Sequence, residues 1–343
     1  MAVEIQYSMI IPAPKQDSSQ FRPISLTSCL CKVFERIILN RLQFTLNGKL
    51  SDNLYGFMKR KSTKDCFIEF MNSENHTDVT TFLDLRSAFD IANRTVIMDH
   101  LGDLGVKGTL LEIIRSYFTG RFSKVYYKGY LTPTAKEFEL GTPQGGVLSP
   151  FLFNVLIDKL IKSITLPNHN CIIICYADDI CIRTPTMHDM QAVIDQISEL
   201  TKDLGLIISI PKTKFQCNAN AAEPLSIDGQ PLETCTSYKY LGIPTPLPVD
   251  YTKNLCDKLS QRLKPLKVLA NRIAGVNIHL CRTFYIAYIR LLVDYNALHL
   301  CTLNKATLNK LEKIQNRAMR IILGCPMSTR IVAMRNELSL DPL

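Results

Sequence analysis

The stretch CIIICYADDICIR (Cys171–Arg183) places two adjacent aspartates, Asp178 and Asp179, between two apolar, largely β-branched runs. Such runs on both sides of a short polar step predict a β-hairpin with the carboxylates at or beside its turn. Two acids at the tip of a buried hairpin repel each other unless a cation lies between them, and Mg²⁺ takes carboxylate ligands together with phosphates. Taken alone, the hairpin favours the alternative of a solvated acidic turn; the rest of the chain reverses that preference.

A second acidic motif lies upstream, in TTFLDLRSAFD (Thr80–Asp90). The run 79–85 is β-branched and apolar, Asp84 falls near its end, and the residues after it are typical of a helix start. An acid at a strand end can meet the acids of a neighbouring hairpin in one sheet. Three carboxylates so arranged would hold two metal ions about 4 Å apart, as in phosphoryl transfer. The equally weighted alternative is an aspartate that caps the next helix.

Between these motifs lies the glycine-rich stretch ELGTPQGGVLSPFLFNVLI (Glu139–Ile157). Its glycines and Pro143 cannot continue a helix or a regular strand, so the stretch predicts a tight loop. Glycine lets a backbone approach a ligand closely, and Gln144 offers both a donor and an acceptor. Pro150 then opens an apolar helical run. A loop that only precedes a core helix is the alternative.

Six motifs in this order carry a resemblance: FRPISL (Phe21–Leu26), FLDLRSAFD (Phe82–Asp90), GTPQGGVLSP (Gly141–Pro150), YADD (Tyr176–Asp179), KTK (Lys212–Lys214) and YLGI (Tyr240–Ile243). The chain resembles the reverse transcriptase family, most closely the enzymes of non-LTR (LINE-type) retrotransposons. Group II intron enzymes share YADD and the PQG loop, but the region after YLGI looks more like the retrotransposon branch. The resemblance runs from about Ile10 to the C-terminus.

The resemblance implies an α+β fold, the right-hand polymerase with fingers, a palm containing an antiparallel sheet, and a helical thumb. Residues 1–247 are then fingers and palm, and residues 248–343 a basic helical thumb-like region. The implied activity is RNA-directed DNA polymerase, which joins dNTPs to a primer 3′-hydroxyl. Its partners are an RNA template and a DNA primer, and its cofactors are two Mg²⁺ ions, for which Mn²⁺ can substitute.

The resemblance also implies roles for individual residues. The catalytic and metal-binding residues are Asp84, Asp178 and Asp179, with Leu85 also at the metals. The substrate-binding residues are Arg22, Lys15, Phe89, Gln144, Gly145 and Lys212, and the primer-binding residues are Tyr240, Leu241 and Gly242. Phe89 is the expected steric gate, a ring against the sugar that rejects ribose. The alternatives are a core aromatic at Phe89, a surface ion pair at Arg22 and a solvated loop lysine at Lys212.

The chain departs from the family pattern near its N-terminus. Ala13 stands where the family commonly has a lysine, and Lys15 is the expected substitute two positions away. We see no stretch that could encode an endonuclease or RNase H domain, so the chain is expected to be a polymerase segment of a larger or decayed element. Two alternatives stay open: an inactive remnant that binds nucleic acid, and a group II intron maturase-like enzyme.

The formal excess of positive charge belongs to the C-terminal quarter. Residues 250–343 contain 15 Lys and Arg against 6 Asp and Glu, giving +9, whereas the 249 residues before them contain 25 of each. Basic helical surfaces suit phosphate backbones, although a solvated face is the alternative. The expected outward side chains are Lys258, Arg262, Lys310, Lys313, Arg317 and Arg320. The run Lys59–Lys61 either contacts template phosphates or is solvated.

Apolar spacing predicts the helices of the same quarter. One helix carries Leu259, Leu263 and Leu266 and is expected to kink or break at Pro265. A second spans Leu280–Leu300, and a third spans about Lys305–Leu323. A stiff proline connector at Pro244–Asp250 is expected to precede them. Near the N-terminus we expect a long helix over Arg22–Leu42.

Several protein classes are disfavoured by composition. The N-terminus lacks a signal-peptide pattern, and no apolar run approaches the roughly 20 residues of a membrane helix. The twelve cysteines show no zinc spacing and are read as buried hydrophobes of a reducing compartment. The resemblance adds an intracellular expectation, in nucleus and cytoplasm.

Overall fold

The computed structural model describes residues 6–14, 21–72, 79–217, 224–271, 273–301 and 303–343. The chain divides into two compact units, Met1–Thr236 and Ser237–Leu343. This division lies ahead of the proline connector that the sequence analysis placed at Pro244–Asp250. The assignment of 1–247 to fingers and palm, and of 248–343 to a thumb, stays a prediction.

The first unit mixes strands and helices. Up to the glycine-rich loop its elements are β1 (Tyr7–Pro14), β2 (Phe21–Thr27), α1 (Cys29–Thr45), α2 (Thr63–Asn72), β3 (Val79–Asp84), α3 (Ala88–Ile91), α4 (Arg94–Asp103), α5 (Thr109–Phe118), β4 (Phe122–Tyr127), β5 (Tyr130–Leu131) and β6 (Lys136–Glu137). After the loop come α6 (Ser149–Ser163), β7 (Ile172–Tyr176), β8 (Asp179–Thr184), α7 (Met187–Asp203), β9 (Lys214–Cys217), β10 (Ser226–Ile227), β11 (Gln230–Pro231) and β12 (Glu233–Thr234).

The sheet that carries the acidic motifs has the order β12-β9-β3-β8-β7. Strand β3 pairs antiparallel with both β8 and β9, and β7 pairs antiparallel with β8, so the predicted hairpin and antiparallel sheet are confirmed. Helices α6 and α7 supply much of the hydrophobic core of this unit. Helix α6 is buried along most of its length, which explains why its sequence is apolar on all sides.

A second sheet has the order β2-β1-β4-β5, with β6 beside β4. The predicted helix over Arg22–Leu42 is wrong in its first part, because β2 covers Phe21–Thr27 and the helix begins at Cys29. Pro23 disfavours helical geometry at the residue before it. The hydroxyl of Ser28 then accepts a hydrogen bond from the backbone N–H of Cys31 and so caps the helix.

The second unit is helical after one hairpin. Its elements are β13 (Tyr238–Tyr240), β14 (Ile243–Thr245), α8 (Tyr251–Leu269), α9 (Ile278–Phe284), a π-helical segment (Tyr285–Arg290), α10 (Leu291–Tyr295), α11 (Ala297–Cys301), α12 (Lys305–Leu323) and α13 (Ile331–Leu338). These helices share a separate core.

The predicted helices of this unit fare differently. Helix α12 has the predicted bounds and ends at Gly324, which adopts φ +61°. Of the kink or break expected at Pro265, the break is wrong: α8 continues to Leu269, and buried leucines on both sides of the proline hold it in the core. The single helix expected over Leu280–Leu300 is also wrong, because a π-helical segment and a turn at Asn296 divide it.

Candidate active site

The acidic hairpin closes through a two-residue turn, Ala177–Asp178. Tyr176 pairs with Asp179 across β7 and β8, and Asp179 pairs in turn with Asp84 on β3. Directly paired residues of antiparallel strands project from the same face, with Cβ atoms about 4.5 to 5.5 Å apart. Ala177 adopts φ +57°, an uncommon conformation for a residue with a side chain. The sheet register therefore brings together two acidic motifs that lie far apart in the sequence.

The carboxylates disfavour one another's charge. Burial raises the pKa of Asp178, repulsion from Asp84 acts in the same direction, and the cations Arg22 and Lys212 oppose the rise. Desolvation by the surrounding protein, followed by repulsion from Asp178 and Asp84, raises the pKa of Asp179 to about 6. A divalent cation beside these groups would relieve both effects.

The donor chemistry fits a hard divalent ion. Oδ2 of Asp84 is buried and accepts no hydrogen bond in the described part of the chain, although Nζ of Lys212 lies 3.6 Å away. Among the described residues, no group of three His, Cys, Asp or Glu side chains is arranged to hold a metal by itself. Mg²⁺ commonly takes only one or two carboxylates and completes its shell with phosphates and water. Leu85 follows Asp84 directly, and its side chain is buried.

Two cations predicted from the motifs lie near the acids. Arg22 is on β2, opposite Ala13 of β1, and it acts electrostatically on Asp178. Lys212 follows a loop that is bound to the end of β3, because the backbone N–H of Ser209 donates to the carbonyl of Asp84 at 2.8 Å. The other predicted cation, Lys15, lies outside the described residues.

The PQG loop packs against the strand that carries Arg22. The backbone N–H of Ser25 donates to the carbonyl of Gln144 at 2.6 Å. Gly145 adopts φ +117°, and a Cβ there would lie 2.5 Å from the Ser25 carbonyl oxygen, so a side chain is excluded. The Gln144 side chain donates to Oδ1 of Asp90 at 2.8 Å. This amide is therefore held in place next to the predicted gate residue, Phe89.

Phe89 is half-buried and stacks on Phe153 of α6, with ring centroids 4.3 Å apart. Its backbone carbonyl accepts a hydrogen bond from Thr142 of the PQG loop at 2.8 Å. The ring is thus anchored on one side by the core, and its position next to the loop is fixed. Phe89 therefore has the core contact expected of a core aromatic and the partial exposure that a steric gate requires.

Glu35 of α1 is a functional candidate that the sequence analysis missed. It is completely buried and accepts hydrogen bonds from the backbone N–H of Val147 and from the hydroxyl of Tyr117 at 2.8 Å. A Cβ on Gly146 would lie 3.1 Å from Oε1 of Glu35. The buried carboxylate therefore fixes the far end of the PQG loop. An acid on the apolar face of an amphipathic helix was the available signal.

Gly56 is the second missed residue. A Cβ at Gly56 would lie 2.5 Å from the backbone nitrogen of Ala177, so the loop lies directly against the turn that carries Asp178. Nδ2 of Asn154, a fully buried residue of α6, donates to the carbonyl of Gly56 at 2.6 Å. Helix α6 thus supports the acidic turn through this loop. The polar Asn154 inside an apolar helix was the available signal, whereas Gly56 gave none.

The predicted primer-binding residues form a hairpin turn in the second unit. Tyr240 is buried, and Leu241 and Gly242 both adopt positive φ, as a two-residue turn of type I′ requires. The hydroxyl of Tyr295 donates to the carbonyl of Leu241. Leu241 is half-buried and Gly242 is exposed, and the binding of a primer at this turn stays a prediction.

Four of the six basic side chains expected to face outward do so: Lys258, Lys310, Lys313 and Arg317 are exposed. The other two are used within the unit. Arg262 donates to the carbonyl of Tyr288 at 2.5 Å and lies over its ring, and Arg320 donates to the carbonyls of Asn316 and Met327. No helix in the described ranges is long and apolar enough to cross a membrane.

The family model for reverse transcriptase (RNA-dependent DNA polymerase) matches residues 13–245, more than half of the chain. The "Probable RNA-directed DNA polymerase from transposon BS" of Drosophila melanogaster is 25% identical over 95% of this chain and 39% of its own length. The RNA-directed DNA polymerase from mobile element jockey of Drosophila funebris is 27% identical over 68% of this chain and 28% of its own. The chain thus spans less than half the length of these relatives.

Solved structures share the fold at low identity. Apo telomerase from Candida tropicalis matches with a TM-score of 0.57 and 13% identity, over 99% of this chain and 68% of that one. The complex of Candida tropicalis telomerase with a TWJ fragment of telomeric RNA matches with a TM-score of 0.52 and 14% identity, over 98% of this chain and 64% of that one. The predicted α+β right-hand polymerase fold is thereby confirmed. The chain belongs to the reverse transcriptase (RNA-dependent DNA polymerase) family, as a reverse transcriptase domain of the non-LTR type.

Proposed function

We propose that this chain catalyses template-directed DNA synthesis, in which a primer 3′-hydroxyl attacks the α-phosphate of a dNTP and pyrophosphate leaves. RNA is the principal template, and the same site accepts DNA. The observation that carries the proposal is the pairing of Asp84 with Asp179, with Asp178 in the adjoining turn and Arg22 and Lys212 beside it. Acids and cations so arranged suit a triphosphate and its counterions.

Asp84, Asp178 and Asp179, with Leu85 adjoining, are the residues that hold two Mg²⁺ or Mn²⁺ ions. When bound, such ions would lower the pKa of the attacking hydroxyl and stabilise the negative charge of the leaving group. Arg22, whose forked guanidinium matches phosphate geometry, binds the triphosphate together with Lys15. Lys212 lies near the leaving pyrophosphate. Gln144 and Gly145 position the base pair, and the turn Tyr240–Gly242 contacts the primer.

The direct test is dNTP incorporation by the purified chain on an RNA template with an annealed DNA primer. We expect primer extension that depends on the template sequence and on added Mg²⁺ or Mn²⁺, and that stops in excess chelator. The inactive-remnant alternative is favoured by Ala13 and opposed by the intact set of Asp84, Asp178 and Asp179. Salt-dependent binding of nucleic acid without extension would select that remnant. Stimulation of intron splicing would select the maturase-like alternative.

Phe89→Ala is expected to increase incorporation of ribonucleotides relative to deoxyribonucleotides by at least tenfold. The ring stacks on Phe153 and so has a fixed place from which to exclude a 2′-hydroxyl. The measurement is the ratio of kcat/KM for a dNTP and its matching NTP. Phe153→Leu, which loosens the support but keeps the gate ring, is the comparison and is expected to change the ratio less. An unchanged ratio in Phe89→Ala would make this residue a core aromatic only.

A further inference from the structure

A second polar surface lies beside the C-terminal end of α1, and no residue of the acidic hairpin is among its described lining residues. It is a groove of about 800 Å³, which is the size of a small-ligand site. Among the residues that the structure describes, its lining contains one aromatic ring, three amides and two cations, and no acid: Asn40, Gln43, Phe44, Asn47, Lys59 and Arg60. We call this the α1 groove.

The described residues of the first unit leave the ring of Phe44 in the α1 groove largely uncovered. Phe44 lies in the last turn of α1, and 84% of it is exposed, although its neighbour Leu42 is completely buried. Because so little of its apolar surface is buried, the Phe44 ring contributes little to the stability of the fold. Aromatic rings that present a free face are the platforms on which proteins stack the bases of single strands.

The cations beside the ring are also available. Within the basic run, Lys61 is used internally, since its Nζ donates to the carbonyl of Asp52 at 2.5 Å and lies 4.8 Å from the ring centroid of Tyr55. Lys59 and Arg60 are exposed, and neither forms an ion pair with any described residue. Of the three residues of this run, Lys59 and Arg60 are therefore the ones that are available to contact phosphates, whereas Lys61 is held by contacts within the unit.

We propose that the α1 groove binds a single strand of nucleic acid, with one base stacked on Phe44 and adjoining phosphates at Lys59 and Arg60. The amides of Asn40, Gln43 and Asn47 can pair with base or sugar edges, and the described part of the lining holds cations without an acid, which suits a polyanion. The inference deepens the proposed function, because such a polymerase handles a single-stranded template, but its test does not require the reaction.

The test is the affinity of the full chain for a fluorescent single-stranded RNA of about 12 nucleotides, a length within the range of known single-strand sites. Phe44→Ala is expected to weaken binding at least fivefold, and Phe44→Tyr to retain it. The control is Leu30→Ala, which removes an apolar side chain that is 67% exposed on the same helix, about 21 Å away along its axis. Unchanged affinity in Phe44→Ala overturns the proposal.

Salt dependence tests the cations separately. Lys59→Ala/Arg60→Ala is expected to reduce the slope of log affinity against log salt by about 1.4, which is two phosphate contacts at about 0.7 each. Lys107→Ala, at an exposed lysine elsewhere in the unit, provides the control and should change the slope by about half that or less. If the double variant has the wild-type slope, Lys59 and Arg60 do not contact phosphates and the proposal is wrong.

Two further measurements separate the possible occupants. Equal competition by DNA of the same sequence supports a site for single strands in general, and competition by RNA alone supports a site that reads the 2′-hydroxyl. A Phe44→Ala chain that loses self-association but keeps RNA affinity overturns the proposal in favour of a protein contact. If the wild-type chain extends primers and Phe44→Ala binds RNA as tightly as wild type, the groove proposal is wrong and the proposed function stands. If RNA binding depends on Phe44 but the wild-type chain extends no primer, the proposed polymerase function is wrong and the groove proposal stands.

Discussion

Asp178→Asn is expected to reduce dNTP incorporation by at least a hundredfold while leaving the chain folded. The substitution keeps the size of the side chain but removes the charge that a divalent ion needs, and losing one such electrostatic contact typically costs 10²- to 10³-fold. Because burial and Asp84 already disfavour the charge at this position, the amide is expected to leave the fold as stable or more stable. The measurements are kcat for primer extension and the thermal midpoint of unfolding.

Two comparisons make this result specific. Asp203→Asn changes an exposed aspartate at the end of α7 and is expected to leave extension unchanged. Asp84→Asn is expected to lose as much activity as Asp178→Asn. The double variant is expected to lose little more than either single variant, since the effects of substitutions at residues that act as one unit are not additive. If Asp178→Asn extends primers at the wild-type rate, the assignment of the metal site is wrong.

Gly56→Ala is expected to reduce incorporation by about a hundredfold, although the residue is no predicted ligand. Its new methyl group would lie 2.5 Å from the backbone nitrogen of Ala177, so the turn that carries Asp178 must move. Displacements of about 1 Å at a reacting group can cost 10²-fold. The measurement is kcat together with the concentration of Mg²⁺ that gives half-maximal extension, which we expect to rise.

The matched control for this substitution is Gly102→Ala in α4. A Cβ at Gly102 meets nothing within 4 Å, and its backbone is an ordinary helical one. Alanine there should leave extension unchanged and stabilise the helix by up to about 1 kcal/mol. If Gly56→Ala and Gly102→Ala extend primers equally well, the loop at Gly56 does not position the catalytic turn.

The sequence was sufficient where local pattern decides structure. The acidic hairpin follows from β-branched runs around Asp178 and Asp179, and the bounds of α12 follow from its apolar spacing and Gly324. The helix predicted over Arg22–Leu42 is wrong at its N-terminal end, because pairing with β1 decides the extended conformation of Arg22–Thr27. Tertiary context overrides local propensity at such a strand.

The support of the site could not be predicted in the same way. The buried Glu35 binds Val147, and Asn154 holds Gly56 against Ala177, across separations of about a hundred residues. Each of these contacts depends on how helices and sheets pack, and a single sequence carries no signal for such pairs. The residues expected to contact ligands, such as Asp84 and Gln144, were identifiable only because they belong to recognisable motifs.

The pairing of β3 with β8 constrains the chain in a way that substitutions do not reveal. Successive residues of a strand point to opposite sides, so loss or gain of one residue within Val79–Asp84 reverses the side to which each following residue points. Exchange of one apolar residue for another in that strand alters packing by degrees. A one-codon deletion there would instead turn Asp84 away from Asp179 in a single event, so the length of this strand is fixed more strictly than its composition.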